Sequence, residues 1–338
     1  MNQAKAQAGV RPAVAGDVAV IIVNYNAGEY LVTCLEALHV LPEPPGEIIV
    51  VDNASDDGSY EAAKARFSGV SFIEAGGNTG FAAANNLGIK STDKPWVALV
   101  NPDAFVAENW LQVLLEAVRE NPQVSVFSSE LVDAKNPRLL DGQGDCYHVS
   151  GLMWRRKNGQ PVDSPPSRLP FFAPCAASAM YLRLAVLEVG GFDEDYFCYI
   201  EDVDLGFRLR LAGYQCLHLH DAITYHIGSA ITERDSDFSI YYGHRNLVWT
   251  YFKNMPAGPR WRYMWQHLLM NIVSIVYYTA KGRPGVIFRA KWDAIKGLPA
   301  QIRKRKAQNI LVNQSQPGVD ITSDMARGWL TPYLHRHD

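Results

Sequence analysis

Three carboxylates lie within four positions of the chain: Glu201, Asp202 and Asp204. Carboxylates crowded in this way can bind a cation or act as a general base, because their mutual repulsion raises their affinity for a proton. The same residues are also typical of the first turn of a helix, and Leu205 and Leu209 continue the segment with the spacing of an apolar helix face. The segment alone therefore leaves helix capping and chemistry both open.

Other candidate residues follow short apolar runs that are typical of buried strands. They are Asn24 and Tyr25 after residues 18–23, Asp52 and Asn53 after residues 47–51, and Asn101 and Asp103 after residues 96–100. A single Asp after a strand is usually a turn former. In a parallel sheet, however, ligands bind beyond the carboxyl ends of the strands, so these groups are expected to line one crevice.

His226, in the segment Tyr225-His226-Ile227-Gly228, is a candidate metal ligand. A lone histidine is more often a hydrogen-bonded structural residue. A divalent cation bound to a diphosphate nevertheless needs only one or two protein ligands, because phosphate oxygens and water supply the rest. One Asp and one His would therefore suffice.

The spacing of apolar residues predicts the elements that position these groups. Strands are predicted at 18–23, 47–51, 70–73 and 96–100, and helices at 29–40, 59–67, 80–89 and 110–119. Strands that are apolar throughout and alternate with helices indicate a parallel sheet covered on both faces. Residues 131–170 contain turn signals and predict long loops or a small antiparallel flap. A strand at 176–182, the acidic helix at 202–212 and a strand near 215–219 are predicted to follow.

Composition excludes several classes of protein. A hydrophobic content of 48% in 338 residues excludes wholesale disorder, and a net charge of −3 predicts no general affinity for nucleic acid. The five cysteines contain no Cys-x-x-Cys pair, which is neither a disulfide framework nor a zinc signature and fits a reducing compartment. The glycines of residues 76–80 lack the dinucleotide-binding spacing, and no P-loop occurs, so a nicotinamide oxidoreductase is disfavoured.

The C-terminal third is aromatic and basic. Residues 261–280 are apolar but interrupted by polar side chains, and residues 281–306 contain 9 Lys and Arg against 1 Asp. This pattern suits a helix packed on the rest of the protein, or an interfacial helix on an anionic membrane, and no confident transmembrane span is present. The predicted organisation is a flexible N-terminus at 1–16, a catalytic domain at 17–235, a helical membrane-associating region at 236–310 and a tail at 311–338. The catalytic domain divides into a nucleotide-binding half (about 17–130) and an acceptor half (about 131–235).

Six short motifs occur in order along the chain. They are Val20-Ile-Ile-Val-Asn-Tyr-Asn26, Val50-Val-Asp-Asn-Ala-Ser-Asp-Asp-Gly58, Asn78-Thr-Gly-Phe81 with Asn85-Asn86, Leu99-Val-Asn-Pro-Asp103, Glu201-Asp-Val-Asp-Leu205 and His226. Together they resemble the family 2 glycosyltransferases of GT-A fold, and most of all their bacterial rhamnosyltransferase-like branch. The resemblance implies an α/β protein with a mainly parallel sheet sandwiched by helices and a helical C-terminal extension.

The resemblance also implies a role for each matching residue. Asp202 matches the general base, while Asp103 and His226 match the metal ligands. The residues that match the nucleotide-sugar site are Asn24, Tyr25, Asp52, Asn53, Gly80, Asn85, Asn101 and Asp103, with Asp52 at the position that hydrogen-bonds the base. Glu201 and Asp204 are expected to support Asp202. One departure is Asn101, which stands where the family's Asp-x-Asp motif has its first Asp. The metal site therefore has one negative charge fewer.

The implied activity is inverting, metal-dependent transfer of a sugar from a nucleotide donor, dTDP-L-rhamnose, to a cell-envelope or lipid-linked glycan. Mg²⁺ or Mn²⁺ is the implied cofactor. The alternatives are a UDP-hexose or UDP-galactofuranose donor, or a non-catalytic nucleotide-sugar-binding scaffold of the same fold. The expected location is cytoplasmic, peripheral on the inner face of the plasma membrane, and the oligomeric state is left open.

Overall fold

The structure is a computed structural model that describes residues 13–164, 171–228, 236–315 and 321–328. Most of the N-terminus predicted to be flexible, and much of the predicted tail, lie outside these residues. Within them, Ala13 and Ala15 are buried in the core, and Ile321 and Met325 of the tail pack into a second core.

The described residues form eleven strands. They are β1 (Val18–Asn24), β2 (Glu47–Asp52), β3 (Ser71–Glu74), β4 (Trp96–Val100), β5 (Ala104–Val106), β6 (Val124–Asp133), β7 (Leu140–Gly142), β8 (Asp145–Tyr147), β9 (Met153–Arg155), β10 (Ser178–Leu182) and β11 (Gln215–His226). Nine of these strands form one sheet in the order β3-β2-β1-β4-β10-β6-β11-β5, with β7 paired to β6. The antiparallel pair β8 and β9 confirms the predicted flap.

The first half of the sheet is parallel, as the sequence predicts. β1 pairs in parallel with β2 and β4, and β2 pairs with β3. All seven residues of β1 are buried, which is typical of a parallel strand with helices on both faces. β10 then enters antiparallel to β4 and β6, so the sheet is mixed beyond β4.

The helices of the described chain form a layer on each face of the sheet and a C-terminal group. They are α1 (Tyr30–His39), α2 (Ser59–Arg66), α3 (Gly80–Lys90), α4 (Trp110–Glu120), α5 (Arg183–Glu188), α6 (Glu201–Leu211), α7 (Asp237–Asn254), α8 (Ala257–Arg262), α9 (Met264–Ala280) and α10 (Pro284–Ser315). Residues of α1, α2 and α4 share one core with the sheet, and residues of α3, α5 and α6 share the core on the opposite face. Residues of α7 and α10 pack with α6 in a further core.

β11 is longer than the strand predicted near 215–219 and continues to His226. It runs parallel to β6 with a register shift between Leu219 and Ile223, which marks a bulge in the strand. Beyond the bulge β11 also pairs with β5, where His226 lies opposite Ala104. This pairing brings His226 beside Asp103, the residue that precedes β5.

A buried ion cluster joins α6 to α7. Lys253 Nζ lies 2.6 Å from Asp193 Oδ2 and 2.6 Å from Asp204 Oδ1, and Arg208 Nη2 lies 2.8 Å from Asp204 Oδ2. Asn254 Nδ2 donates a further hydrogen bond to Asp204 at 2.7 Å. Burial alone would raise the pKa of Asp204, but Arg208 and Lys253 outweigh burial and hold that pKa below its usual range. Asp204 is therefore a charged anchor between two helices.

We expect Lys253→Met to lower the free energy of unfolding by about 3–5 kcal/mol, because two carboxylates would remain buried with too little positive charge. Urea denaturation followed by circular dichroism measures the change. The matched control is Lys135→Met at an exposed turn, with an expected change within about 0.5 kcal/mol. A Lys253→Met protein as stable as this control would show that the cluster is not an anchor.

Candidate active site

A cleft of about 1560 Å³ opens where the carboxyl ends of β1 and β4 face the start of α6. The predicted site residues that line it are Tyr25, Asn53, Gly80, Asn101, Asp103, Glu201, Asp202 and His226. The opposite wall comes from α7 and α9, through residues that include Tyr242 and Met270. The fold thus brings side chains that are far apart in the chain to one cavity.

Polar groups of the first half hold the loop before α3 against the cleft. Asn53 Nδ2 donates to Asn78 Oδ1 at 3.0 Å. Gly80 has a φ of +84°, and a Cβ at this position would lie 2.6 Å from the ring of Phe197, so a side chain here would clash. Asn101 Oδ1 is buried without a hydrogen-bond partner, which leaves this oxygen able to accept a bond from a ligand in the cleft.

Three predicted donor-binding residues lie behind the residues that line the cleft. Asn24 Nδ2 donates to Asp52 Oδ1 at 2.9 Å, and Ser55 Oγ donates to the same oxygen at 2.7 Å. Asn85 Nδ2 donates to the carbonyl of Phe81 at 2.9 Å. In this arrangement Asn24 orients Asp52 and Asn85 braces α3, while contact between Asp52 and a base stays a prediction.

His226 lies between two carboxylates. Its Nδ1 hydrogen-bonds to Asp141 Oδ2 at 2.8 Å, and its Nε2 lies 3.4 Å from Asp103 Oδ1. Burial favours the neutral ring, but the hydrogen bonds and charges of Asp103 and Asp141 outweigh burial and raise the pKa of His226 to about 9. Asp141, which the sequence analysis did not single out, therefore belongs to the site.

The donor set of Asp103 and His226 fits a divalent cation. A histidine that ligates a metal usually gives its second ring nitrogen to a carboxylate, and Asp141 holds Nδ1 of His226 in that way. The Nε2 atom is then directed to Asp103, so one nitrogen and one carboxylate face the cleft together. Mg²⁺ and Mn²⁺ accept such a partial set when substrate oxygens complete the coordination.

Asp202 lies at the start of α6 with its carboxylate held by two backbone amides. Ala176 N donates to Oδ2 at 3.1 Å and Val203 N donates to Oδ1 at 2.8 Å. Burial raises the pKa of Asp202, and these amides together with Arg155 oppose the shift. The expected increase in proton affinity is therefore present, although its main cause is burial and not the neighbouring carboxylates.

Glu201 and Asp204 behave differently from each other. Burial and repulsion from Asp202 raise the pKa of Glu201 well above its usual range, which favours the neutral acid, and Glu201 Oε2 has no hydrogen-bond partner. Asp204 stays charged, because Arg208 and Lys253 balance its charge, and it does not line the cleft. The three carboxylates of the acidic run are thus separated into a neutral acid, a candidate base and a structural anchor.

Residues 19–181 match the sequence profile of Glycosyl transferase family 2. The matched segment, just under half of the chain, is a domain of this family. The chain is 29% identical over 245 residues to the N-acetylglucosaminyl-diphospho-decaprenol L-rhamnosyltransferase of Mycobacterium tuberculosis, a match that covers 64% of this chain and 78% of the relative. It is also 29% identical over 225 residues to rhamnosyltransferase WbbL of Escherichia coli, covering 61% of this chain and 81% of the relative.

Solved structures show that this glycosyltransferase has the GT-A fold. The Pyrobaculum calidifontis mannosyltransferase PcManGT, in complex with GDP-Man and Mn²⁺, matches with a TM-score of 0.51 and 17% identity, covering 92% of each chain. Staphylococcus aureus TarS 1–349, in complex with UDP-GlcNAc, matches with a TM-score of 0.55 and 14% identity, covering 88% of this chain and 86% of the TarS chain. The α/β class and the GT-A fold expected from the sequence are therefore confirmed, with a sheet that is mixed beyond β4.

The segment before Asp202 in this glycosyltransferase has a strained backbone. Phe197, Tyr199 and Ile200 have φ values of 66°, 67° and 70°, in the left-handed region that bulky residues rarely adopt. Such residues cost about 1–3 kcal/mol each and persist only when the surrounding structure holds them. All three line the cleft, so the strain lies at the site itself.

Asn246, on α7, is the residue that holds this segment. Its Nδ2 lies within hydrogen-bonding distance of three backbone carbonyls, those of Tyr196 at 3.0 Å, Cys198 at 3.0 Å and Tyr199 at 2.7 Å. The neighbouring Arg245 donates to the carbonyl of Tyr196 as well, at 3.0 Å. The sequence analysis gave neither residue a site role, because nothing local to α7 indicates what its side chains contact.

Two charged residues that no local sequence pattern marked as site residues also lie in the cleft. Asp145 and Arg155 line the cleft, with Arg155 Nε 3.6 Å from Asp145 Oδ1 and Arg155 Nη1 2.9 Å from Asp141 Oδ2. Burial raises the pKa of Asp145 to about 7, against the attraction of Arg155 and with added repulsion from Asp202. The pair Asp141 and Asp145 in Asp-Gly-Gln-Gly-Asp is the available signal, although the turn signals of residues 131–170 predict only loops or a flap.

We expect Asn246→Ala to lower kcat by about 10²-fold with little change in the KM of the donor, because the strained segment would relax and displace Asp202. Steady-state kinetics with thermal melting as a check on folding measures this. Asn121→Ala, which removes a side-chain hydrogen bond to a helix carbonyl at the end of α4, is the control. Equal kcat values for the two variants would rule out a positioning role for Asn246.

Proposed function

We propose that this chain is an inverting, metal-dependent glycosyltransferase that moves L-rhamnose from dTDP-L-rhamnose to a lipid-linked glycan of the cell envelope. The observation that carries the proposal is the placement of Asp202 in the same cleft as the Asp103–His226 pair. The names of the two relatives, both rhamnosyltransferases, support L-rhamnose as the sugar.

In this proposal Asp202 is the general base. An alcohol is a weak nucleophile until a positioned base accepts its proton, which contributes about 10²–10⁴ in rate. The amides of Ala176 and Val203 fix the carboxylate, and its raised pKa brings its proton affinity closer to neutral pH. One base and one direct displacement at the anomeric carbon invert its configuration.

Asp103 and His226 are the proposed ligands of the cation, which is Mg²⁺ or Mn²⁺. When bound, the cation neutralises charge that develops on the departing diphosphate. Asp141 keeps the Nε2 atom of His226 directed to Asp103, and Arg155 holds Asp141 in turn. The replacement of the first motif Asp by Asn101 leaves these two side chains as the proposed protein ligands.

The proposed acceptor is lipid-linked because the wall of the cleft continues into an exposed apolar surface. Met270, Val273 and Tyr277 of α9 line the cleft. On the same helix Trp265, Leu268, Ile272 and Val276 are exposed at helical spacing, and α10 contacts α9 and exposes Phe288, Trp292 and Ile295. None of the described helices is both long enough and apolar enough to cross a membrane. We therefore propose that α9 and α10 lie on the membrane surface.

The basic block, residues 281–306, contributes less positive charge to this surface than its composition predicts. Lys291 and Arg305 are buried, and Arg305 Nη1 donates to backbone carbonyls that include Met255 at 2.6 Å. Lys304 pairs with Asp193 and Asp195. Of the run at 303–306, Arg303 and Lys306 are the exposed members. The proposed attachment therefore depends more on apolar insertion than on charge.

We expect the enzyme to release dTDP from dTDP-L-rhamnose in the presence of an N-acetylglucosaminyl-diphospho-polyprenol acceptor, and EDTA to abolish the reaction. Asp202→Asn should lower kcat by about 10²–10⁴-fold without loss of donor binding, since an amide cannot accept the proton. Asp93→Asn, at an exposed position, is the control.

A panel of UDP-glucose and UDP-galactofuranose tests the donor in the same assay. If only a UDP-sugar were turned over, that sugar would replace dTDP-L-rhamnose as the proposed donor, and the proposed mechanism would still hold. Full activity of Asp202→Asn, or no binding of any donor, would refute the mechanism.

We expect wild-type protein to co-sediment with anionic phosphatidylglycerol vesicles and the pair Ile272→Ser with Val276→Ser to bind at least about tenfold more weakly. Each substitution removes roughly 1.5–3 kcal/mol of binding free energy, because an apolar side chain is no longer buried in the membrane. Ile272 and Val276 are 57% and 62% exposed, and the control is Leu184→Ser, which is 57% exposed on α5. Equal binding of the double variant and the control would place the membrane contact elsewhere.

A further inference from the structure

A second group of metal-ligating side chains lies outside the cleft, on β6 and β11. His218 Nε2 lies 2.9 Å from Glu130 Oε2, and His220 Nδ1 lies 3.0 Å from the same oxygen. Alternate residues of a strand point to the same face, which places both imidazoles on one side of β11. Because the bulge in β11 begins after Leu219 and ends at Ile223, opposite Glu130, both rings come close to one glutamate.

The three ligand atoms are close enough to share one ion. They all lie within 4.8 Å of one another, and among the residues that the structure describes this is the one group of three that meets that condition. Ligand atoms around a tetrahedral Zn²⁺, with bonds of about 2.0–2.1 Å, lie about 3.3 Å apart. The Glu130 oxygen is therefore only a few tenths of an ångström too close to each of the two ring nitrogens for this geometry.

We propose that Glu130, His218 and His220 form a binding site for a transition-metal dication, of which Zn²⁺ is the best fit. Two imidazoles and one carboxylate favour Zn²⁺ over Mg²⁺, which prefers a shell of oxygens. The site is therefore distinct in chemistry from the Asp103–His226 pair. Glu130 and His218 are buried, while the His220 side chain is 57% exposed, so an ion has an entry path from solvent.

Gln143 is suited to complete this site. Its Nε2 lies 3.2 Å from Glu130 Oε2 and 3.4 Å from His220 Nδ1, whereas its Oε1 is buried without a hydrogen-bond partner. A half-turn of the terminal amide exchanges these two atoms and directs the carbonyl oxygen at the ion. This exchange supplies a fourth ligand.

An ion bound at this site would stabilise a wall of the cleft from the side away from the cavity. Gln143 is two residues from Asp141, whose carboxylate holds Nδ1 of His226. Arg156 Nε also donates to the carbonyl of Gln143 at 3.1 Å, next to Arg155 in β9. An ion that ties this segment to β6 and β11 therefore stiffens the loop that positions Asp141 and Asp145.

The test measures Zn²⁺ binding directly, by competition with a fluorescent chelator on the full chain after EDTA treatment and dialysis. Excess Mg²⁺ is present throughout to compete at Asp103 and His226. We expect about one Zn²⁺ per chain, with affinity at least about tenfold lower in His220→Ala, which changes an exposed side chain and should leave the fold intact. Glu130→Gln should weaken binding in the same direction.

Three control variants separate this site from other histidines. His39→Ala, His226→Ala and a chain with both His335 and His337 changed to Ala should each keep the Zn²⁺ affinity of the wild type. Substitution with Co²⁺ provides a second readout, because its visible absorption reports nitrogen ligands and should be lost in His220→Ala. Unchanged Zn²⁺ affinity in both His220→Ala and Glu130→Gln, or loss of binding in a control variant alone, would overturn the proposal.

Discussion

The site depends on one amide, that of Asn246, which keeps a strained segment in place. Phe197, Tyr199 and Ile200 are bulky residues in a left-handed conformation, and the carbonyls of this segment converge on the Asn246 side chain. A relaxed segment would begin α6 with a different orientation and would move Asp202 away from the cleft. The ring of Phe197 also lies against Gly80, so the same segment contacts the start of α3 across the cleft. Strain at one point thus couples the two halves of the cleft.

Burial and neighbours give chemically identical carboxylates different properties. Asp204 is buried among cations and stays charged, whereas Glu201 is buried next to Asp202 and favours its neutral form. Asp202 lies between these extremes because two amides stabilise its charge while burial opposes it. A low-dielectric interior amplifies each of these differences, which is why neighbouring positions on one helix turn can hold a neutral acid, a candidate base and an anchor.

The C-terminal helices link the cleft to the outer surface. α7 supplies Asn246 to the strained segment, and α9 forms a wall of the cleft while exposing apolar side chains on its other face. Part of the basic block is turned inward, where Lys304 and Arg305 contact the protein itself. These helices are therefore integral to the site.

The sequence by itself determined the parallel half of the fold, the ends of its four strands within one residue, and the resemblance to the family. A run that is apolar throughout, such as Val18–Val23, is stable as a strand buried on both faces. The positions of Asp52 and Asp103 just after such strands could therefore be predicted from the local sequence pattern. Only the tertiary structure decided which carboxylate is an anchor, that Asp141 holds His226, and that Asn246 holds the segment before α6. Those outcomes rest on contacts between residues far apart in the chain, and local spacing carries no information about a distant partner. The antiparallel entry of β10 and the bulge of β11 create these contacts, because they bring residues from the second half of the chain to the ends of the parallel strands.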